Sequence, residues 1–394
     1  MHLIVTSALT IAAVPAVGAC LYLLLTTLLS AELPPPPPST RGMYFDVIVP
    51  AHDEVAVLSR VLATLATLDW PKDRYQIIVV ADNCTDGTAE LAHSLGASVL
   101  ERSDPQRRGK GYALDFAFRA SRAREIADAV VVIDADAEVT PNLLEAIAAR
   151  MEHGAQAVQV HYGVSNASAS WRTRLLCIAK ASFHIVRSRA RERLGLSCGI
   201  RGNGWAVTHR LLAAVPYRAF SLTEDLEYGI ELGLAGYRVQ YAEEAASNAE
   251  MVTGEADARK QRQRWERGRF ALTLSRTVPL LRAAVHRRSR VCLDLAFDLL
   301  VLPLSYVVLN VGLLTVLALC AQLWDESYRP WIWAALACWA VIVSYILRGW
   351  QLSGVGAQGL LDLARAPLFL LWKIFVMLRR RESNEWIRTK REGP

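Results

Sequence analysis

Four short apolar runs, alternating with stretches of helical spacing, set the fold class of this chain. Phe45–Pro50, Gln76–Ala81, Ser98–Leu100 and Ala129–Ile133 have the length and β-branched content of strands. Between them lie the predicted helices Glu54–Leu68, Thr88–Ser94 and Gly111–Ala123. In the first, Val55, Leu58, Val61, Leu62 and Leu65 recur at helical spacing. Ala129–Ile133 is apolar throughout, as in a parallel strand covered on both faces. The alternation predicts a doubly wound, nucleotide-binding α/β domain.

Apolar segments flank that domain. Leu3–Leu29 carries no charge and, at about 1.5 Å per residue, is long enough to cross a bilayer. The missing N-terminal Lys or Arg and the long apolar core favour a retained anchor over a cleaved signal. Pro34–Pro38 makes a stiff spacer, and Arg41 beyond it puts the N-terminus outside. From Glu255 the chain turns basic and amphipathic, with Trp265, Phe270 and Leu272 among Arg259, Lys260, Arg262, Arg264, Arg267 and Arg269, which suits an interfacial helix. Leu299–Leu323 and Trp331–Leu347 read as two further spans, the charges of His286–Arg290 placing the start of the first inside. Leu360–Leu378, broken by Asp362, Arg365, Pro367 and Lys373, reads as an in-plane or re-entrant helix. Arg379–Arg381 and the basic C-terminus are expected on the cytoplasmic side. The expected parts are 1–30 (anchor), 31–43 (linker), 44–254 (catalytic domain), 255–290 (interfacial segment) and 291–394 (membrane region and basic tail). The chain is thus expected to be a multi-pass protein of the cell membrane with a cytoplasmic catalytic domain.

The net charge of +6 gathers beside the apolar segments, and the mean hydropathy is +0.21. That distribution fits a membrane face, and no zinc-finger spacing or basic-aromatic code points to nucleic acid. The seven scattered cysteines form no CxxC pair and argue against a disulfide framework. Cys84 reads either as a reactive thiol or as a small loop residue.

Ligands of an open parallel sheet bind beyond the carboxyl ends of its strands. Three features fall there: Pro50-Ala51-His52-Asp53-Glu54, Asp82-Asn83-Cys84-Thr85-Asp86, and Asp134-Ala135-Asp136. The Asp134/Asp136 pair suits a divalent cation on a leaving diphosphate, or else a turn that caps a helix. Arg107-Arg108-Gly109-Lys110-Gly111 places Lys110 within reach of a phosphate, or is a solvated basic turn. In Thr223-Glu224-Asp225, Asp225 is suited to take a proton from an incoming hydroxyl, or the acids cap the next helix. Gln261, Arg264 and Trp265 offer an amide, a cation and a flat indole for a diphosphate and a sugar acceptor, or form part of a membrane-interface belt.

As a set these residues resemble the membrane-bound family 2 glycosyltransferases: the cellulose, hyaluronan, chitin and poly-N-acetylglucosamine synthases and their ceramide glucosyltransferase relatives. The resemblance runs from Tyr44 to Phe270. It implies a GT-A-like fold, a UDP-sugar donor, Mg2+ or Mn2+, and inversion at the anomeric carbon. It implies donor contacts from Pro50, Ala51, Glu54, Asp82, Lys110, Asp134 and Asp136, with the D-x-D of Asp134 and Asp136 on the metal. It implies a catalytic base in Glu224–Asp225, and acceptor and diphosphate contacts from Gln261, Arg264 and Trp265. The expected reaction is growth of a β-linked polysaccharide, with transfer of one sugar to a membrane lipid as the alternative. The expected partners are the donor, a glycan or lipid acceptor and membrane lipids, with room for an export subunit. The three spans counted here are fewer than a large processive synthase carries. A nucleotidyltransferase would need no Q-x-x-R-W before a membrane span, and a transporter or scaffold would not need so large a globular domain.

Overall fold

The computed structural model describes residues 1–251 and 255–366, and two compact units divide the chain. Among the described residues, one comprises Met1–Glu32, Arg174–Arg193 and 297–366, and the other comprises Leu33–Thr173 and Leu194–Ala296. In chain order the elements are α1 (His2–Leu28), β1 (Phe45–Ala51), α2 (Leu58–Ala66), β2 (Tyr75–Asp82), α3 (Thr88–Ser94), β3 (Ser98–Arg102), α4 (Lys110–Ala123), β4 (Ala129–Val132), β5 (Ala137–Val139), α5 (Leu143–Glu152) and β6 (Ala157–Val164). There follow α6 (Trp171–Ala181), α7 (Arg187–Arg193), β7 (Trp205–Thr208), α8 (His209–Ala214), α9 (Glu224–Leu234), β8 (Val239–Ala249), α10 (Glu255–His286), α11 (Arg290–Leu300), α12 (Leu304–Trp324), α13 (Arg329–Leu352) and α14 (Gly356–Leu363).

All four predicted strands form, and they lie side by side in the sheet. The sheet order is β3-β2-β1-β4-β7-β6-β8-β5, with β1 parallel to both β2 and β4, and β2 parallel to β3. The doubly wound expectation holds only for that half. Beyond β4 the sheet is mixed, because β7 enters antiparallel to both β4 and β6. The two-residue period of the strands feeds two layers. Val47, Val49 and Val131 face Leu58, Leu62 and Leu65 of α2, while Ile48, Val130 and Val132 face Leu114, Ala117 and Phe118 of α4.

Two boundaries differ from the sequence reading. The first helix begins at Leu58, because Glu54–Val57 turns first, with the Glu54 amide donating to Thr88 Oγ1 at 2.9 Å. The span expected at Leu299–Leu323 is broken between α11 and α12, where Pro303 lacks an amide donor and keeps the residue before it out of helical geometry. Among the described residues three helices are long and apolar enough to cross a membrane: His2–Leu28, Leu304–Trp324 and Glu326–Leu352. Leu9, Ala16, Leu23, Val311, Leu314, Ala335 and Ile342 pack between them. The stretch 367–378 of the fourth apolar segment, the Arg379–Arg381 cluster and the basic C-terminus lie outside the described residues.

At the amino end of β1, away from the strand ends that face ligands, Asp46 is buried. Ser121 Oγ of α4 donates to its Oδ2 at 2.5 Å and lies 3.0 Å from His209 Nε2 of α8. This chain ties sheet, α4 and α8 together. Ser121→Ala should cost about 2–3 kcal/mol by leaving a buried carboxylate oxygen without its donor. Denaturant unfolding of the full chain in detergent checks it, and a change within about 0.5 kcal/mol would remove the network from the fold's support.

Candidate active site

The first group lies at the carboxyl ends of β1 and β2. Asp82 ends β2, is buried, and pairs with Arg102 Nη1 at 2.6 Å. Arg102 ends β3 and also reaches Asp104 at 3.2 Å. Asn83 adopts a left-handed φ of 53°, so its amide can donate to Asp82 Oδ1 at 3.0 Å while its own Oδ1 accepts from the Asp104 backbone at 2.8 Å. A His52 ring nitrogen is 2.7 Å from the Asp82 carbonyl oxygen. Pro50 and Ala51 end β1, which is in register with β2, and Glu54 follows in the next loop. The structure therefore brings Pro50, Ala51, Glu54 and Asp82 to one sheet edge.

The second group is built around Lys110, the first residue of α4. Its ammonium donates to Asp134 Oδ1 and to the Gly202 carbonyl, the latter at 2.5 Å, and lies 3.9 Å from Glu224 Oε1. Asp134 follows β4, and its amide donates to Asn203 Oδ1 at 3.0 Å. Ser247 Oγ of β8 donates to that same oxygen at 2.9 Å. Gly202 has φ +84°, which turns its carbonyl towards Lys110 in a conformation that side chains with a Cβ rarely adopt. Asp225 Oδ2 lies 3.3 Å from where a Cβ on Gly202 would stand, so Asp225 adjoins the same turn. Asp136 is buried two residues beyond Asp134. Lys110, Asp134 and the adjacent Glu224 and Asp225 thus converge from three places in the chain.

Burial and mutual charge shape this cluster. Burial would lower the Lys110 ammonium, but Asp134 and then Glu224 hold it above its ordinary value. Burial pushes Glu224 up to about 7, against the pull of Lys110, and Asp225 adds to the rise. Asp225 is likewise raised, by burial first, while its backbone hydrogen bond, Lys110 and Arg201 pull it down.

Helix α10 joins the group through Gly268. A Cβ there would stand 2.5 Å from Thr223 Cγ2, so only a glycine lets the helix lie this close to the residue before Glu224. Gln261, Arg264, Gly268 and Leu272 recur at three- and four-residue spacing and share a face. Farther along, Arg276 reaches Glu227 and Glu231 of α9 at 3.5 and 3.4 Å. Arg264 is half-buried one turn before the Thr223 contact, and its Nε has no partner among the described residues. Trp265 is 41% exposed, beside that face.

Asp134 and Asp136 offer oxygen ligands only, which suits Mg2+ or Mn2+, and a cation already sits on Asp134 in the form of Lys110. A separate trio, Asp53, Cys84 and Asp86, has ligand atoms within 4.8 Å of one another. Its carboxylates are engaged by the loop, since the Thr85 amide donates to Asp53 Oδ1 at 2.6 Å and the Thr88 amide to Asp86 Oδ1 at 3.0 Å. Burial raises the Cys84 thiol, which favours the small loop residue over the reactive thiol.

The sequence reading missed Arg102, Gly202 and Asn203. The signal for the last two was present in the run Gly199-Ile-Arg-Gly-Asn-Gly204, a glycine-rich turn directly before a strand.

The profile of the family described as "Glycosyltransferase like family 2" matches residues 42–268. A beta-monoglucosyldiacylglycerol synthase of Nostoc sp. is 30% identical over 234 residues, 58% of this chain and 49% of that protein. The probable glycosyltransferase YdaM of Bacillus subtilis is 26% identical over 268 residues, 64% of this chain and 60% of that protein. The chain spans about half the length of the curated relatives it matches. Among solved structures, the mannosyltransferase PcManGT of Pyrobaculum calidifontis, in complex with GDP-Man and Mn2+, has a TM-score of 0.51 at 18% identity, covering 86% of this chain and 98% of that one. This last likeness is one of fold, and the fold is GT-A-like.

The raised Glu224 carboxyl gives a stability prediction with a definite sign. Its folded-state value of about 7 exceeds the ordinary 4.5, so its contribution to stability is complete below about pH 4.5 and is lost as pH rises through 7. Above that the folded protein carries a buried charge. Glu224→Gln should therefore raise the melting temperature at pH 8 and leave it nearly unchanged at pH 5, a difference of about 1–3 kcal/mol. Thermal melts of ligand-free protein at the two pH values check this. An equal effect at both would show that Glu224 is already ionised in the fold at pH 5.

Proposed function

The chain belongs to glycosyltransferase family 2, and on that premise we propose that it transfers a single hexose from a nucleotide sugar to a membrane lipid, inverting the anomeric carbon. This replaces the expectation of polysaccharide growth with its alternative. The observation that carries it is the similarity to a beta-monoglucosyldiacylglycerol synthase over 234 residues, and Lys110, Asp134, Glu224 and Asp225 lie within the family match at 42–268. The three membrane-length helices, and an exposed Trp265 beside the catalytic turn, fit an acceptor that arrives from a bilayer.

In this reading Asp82 and its Arg102 partner hold the nucleoside end of the donor, beside Pro50, Ala51 and Glu54. Asp134 and Asp136 would hold Mg2+ or Mn2+, which supplies Lewis-acid stabilisation of the diphosphate charge. Lys110 lies against Asp134 and is placed to meet a phosphate oxygen once the donor draws it off that carboxylate. The Asp225 carboxylate takes the proton of the acceptor hydroxyl as that oxygen attacks the sugar C1 from the face opposite the diphosphate. The C1–O bond to the diphosphate then breaks, and the nucleoside diphosphate leaves with the electron pair. Glu224, beside the base, keeps its neighbourhood negative and oriented through Lys110. Arg264 of α10 faces the turn before Glu224 and can steady the leaving diphosphate, while Trp265 offers its indole face to the acceptor. The catalytic unit would lie on the cytoplasmic side, after an N-terminus outside.

The test is mass analysis of products from purified protein given UDP-sugars, a divalent metal and diacylglycerol vesicles. One hexose on one lipid is expected, and a ladder of oligosaccharides would return the reading to polymer growth. Asp225→Asn should bind UDP-sugar within about threefold of wild type yet lose at least about a hundredfold in transfer, since the amide keeps the shape without the basicity. Retained transfer would remove Asp225 as the base.

A further inference from the structure

A cavity of about 510 Å3 lies on the outer side of α4, opposite the loop that leads from α8 into Thr223. Its floor is buried and aromatic, made by Phe118 and Tyr217, whose rings meet edge to face at 5.2 Å. Its rim is exposed and basic, made by Arg119, Arg122 and Arg218, with Phe220 beside them. Arg119 is neutralised by Asp115 at 2.7 Å. Arg122 and Arg218 form no ion pair or hydrogen bond among the described residues. Tyr217 is buried and its hydroxyl is closed off from solvent, so its ring and not its hydroxyl makes the floor. Two exposed guanidiniums beside an aromatic floor are suited to an anion carried on an apolar body.

The walls of this cavity are also parts of the catalytic cluster's support. Phe220 stacks on Tyr112 at 4.5 Å and 9°. A Cβ on Gly111 would strike the Ala219 carbonyl, so residues 219–220 press directly on the first turn of α4, next to Lys110. Three residues after Phe220 the chain reaches Thr223, Glu224 and Asp225. Tyr217 feels the charges of Glu224 and Asp225, which add to burial in raising its hydroxyl. Whatever fills the cavity therefore fixes a segment that touches both the lysine and the acids.

We propose that this cavity is an effector site for a phosphate group borne on an apolar or aromatic body, and that filling it strengthens sugar transfer by bracing the 216–223 segment against the first turn of α4. An anionic lipid headgroup and a soluble phosphate ester share that chemistry. The binding claim stands without the proposed reaction; the effect on transfer rests on it. Binding and catalysis are then linked, so the effector and the donor strengthen each other's binding.

The experiment uses the full chain with its donor site filled by UDP and metal. Calorimetry with inorganic phosphate and with glycerol 3-phosphate is expected to show one site. The Arg122→Gln/Arg218→Gln pair should weaken it at least tenfold, while Arg218→Lys, which keeps the charge, should weaken it less. Equal binding by wild type and the double variant would overturn the site. Transfer is then measured in phosphatidylcholine vesicles alone, with added glycerol 3-phosphate, and with phosphatidylglycerol mixed in. Activation of several-fold by phosphatidylglycerol only, lost in the double variant, assigns the lipid headgroup. Activation by glycerol 3-phosphate in neutral vesicles assigns a soluble ester. Binding without activation, or activation that survives in the double variant, would overturn the effector role. A chain that transfers no sugar at all but binds phosphate in this pattern would sink the proposed reaction and leave the site standing.

Discussion

One ammonium holds the catalytic cluster together. Lys110 sits against Asp134 and the Gly202 carbonyl, with Glu224 3.9 Å away and Asp225 close enough to feel its charge. Asp134, Asp136, Glu224 and Asp225 bring four carboxyl groups to this region, and Lys110 and Arg201 bring two positive charges. Burial first, and then the neighbouring Asp225, disfavour ionisation of Glu224 and push it up against the pull of Lys110. A site with such an excess favours the arrival of positive charge. A diphosphate accompanied by a divalent cation meets that condition where a bare diphosphate does not. Under the proposed reaction the same lysine that balances the acids would follow the diphosphate, and donor binding would then be coupled through it to the ionisation of Glu224 and Asp225.

The unit that holds the three long apolar helices shows a related economy of charge. Arg189, Arg193 and Arg348 donate to carbonyls at and just beyond the end of α1, with Arg348 Nη2 3.0 Å from the Ser30 oxygen and Arg193 Nη2 3.1 Å from that of Ala31. Carbonyls at a helix end have no partner within the helix, and a guanidinium satisfies them while complementing the negative end of the dipole. Arg187 and Arg191 share Asp298 at 2.9 and 2.8 Å, and all three side chains are buried. Removing that one carboxylate would leave two guanidiniums buried without it, which makes Asp298 the residue on which this network turns.

The parts of the site that were legible from sequence are those where position follows from local pattern. An acid directly after an apolar strand is placed at the ligand edge by the strand itself, which is why Asp82 and Asp134 fell where expected. Lys110 was visible as a basic residue at a glycine-flanked helix start, but its partners were not. They come from Gly202, ninety-two residues on, and Asn203 reaches Asp134 across sixty-nine. Chemistry carried by a backbone carbonyl leaves no side chain to notice. The antiparallel entry of β7 was missed for a related reason, since a four-residue apolar strand does not declare its direction. The break before α12 was written in Pro303, but a hydropathy average runs across a single proline. The charge pattern of α10 suggested a membrane surface, whereas the contact that ties it to the site is made by Gly268, a residue without charge or bulk.

Single transfer and polymer growth demand different things of the membrane part. A processive synthase must keep hold of a polar product and give it a path, and a polar path through hydrocarbon has to be lined by groups that replace water. The residues buried between α1, α12 and α13 are instead apolar and in part small: Leu9, Ala12, Ala16, Leu23, Val311, Leu314, Ala318 and Ala335. Small side chains at a helix interface let backbones approach and close the space between them. The described helices therefore pack as an anchor would. An anchor is sufficient for an enzyme whose acceptor is already a lipid, because the acceptor shares the same two-dimensional surface and its product needs no exit. Gly268 meanwhile holds α10 against Thr223 and leaves Trp265 exposed beside that contact.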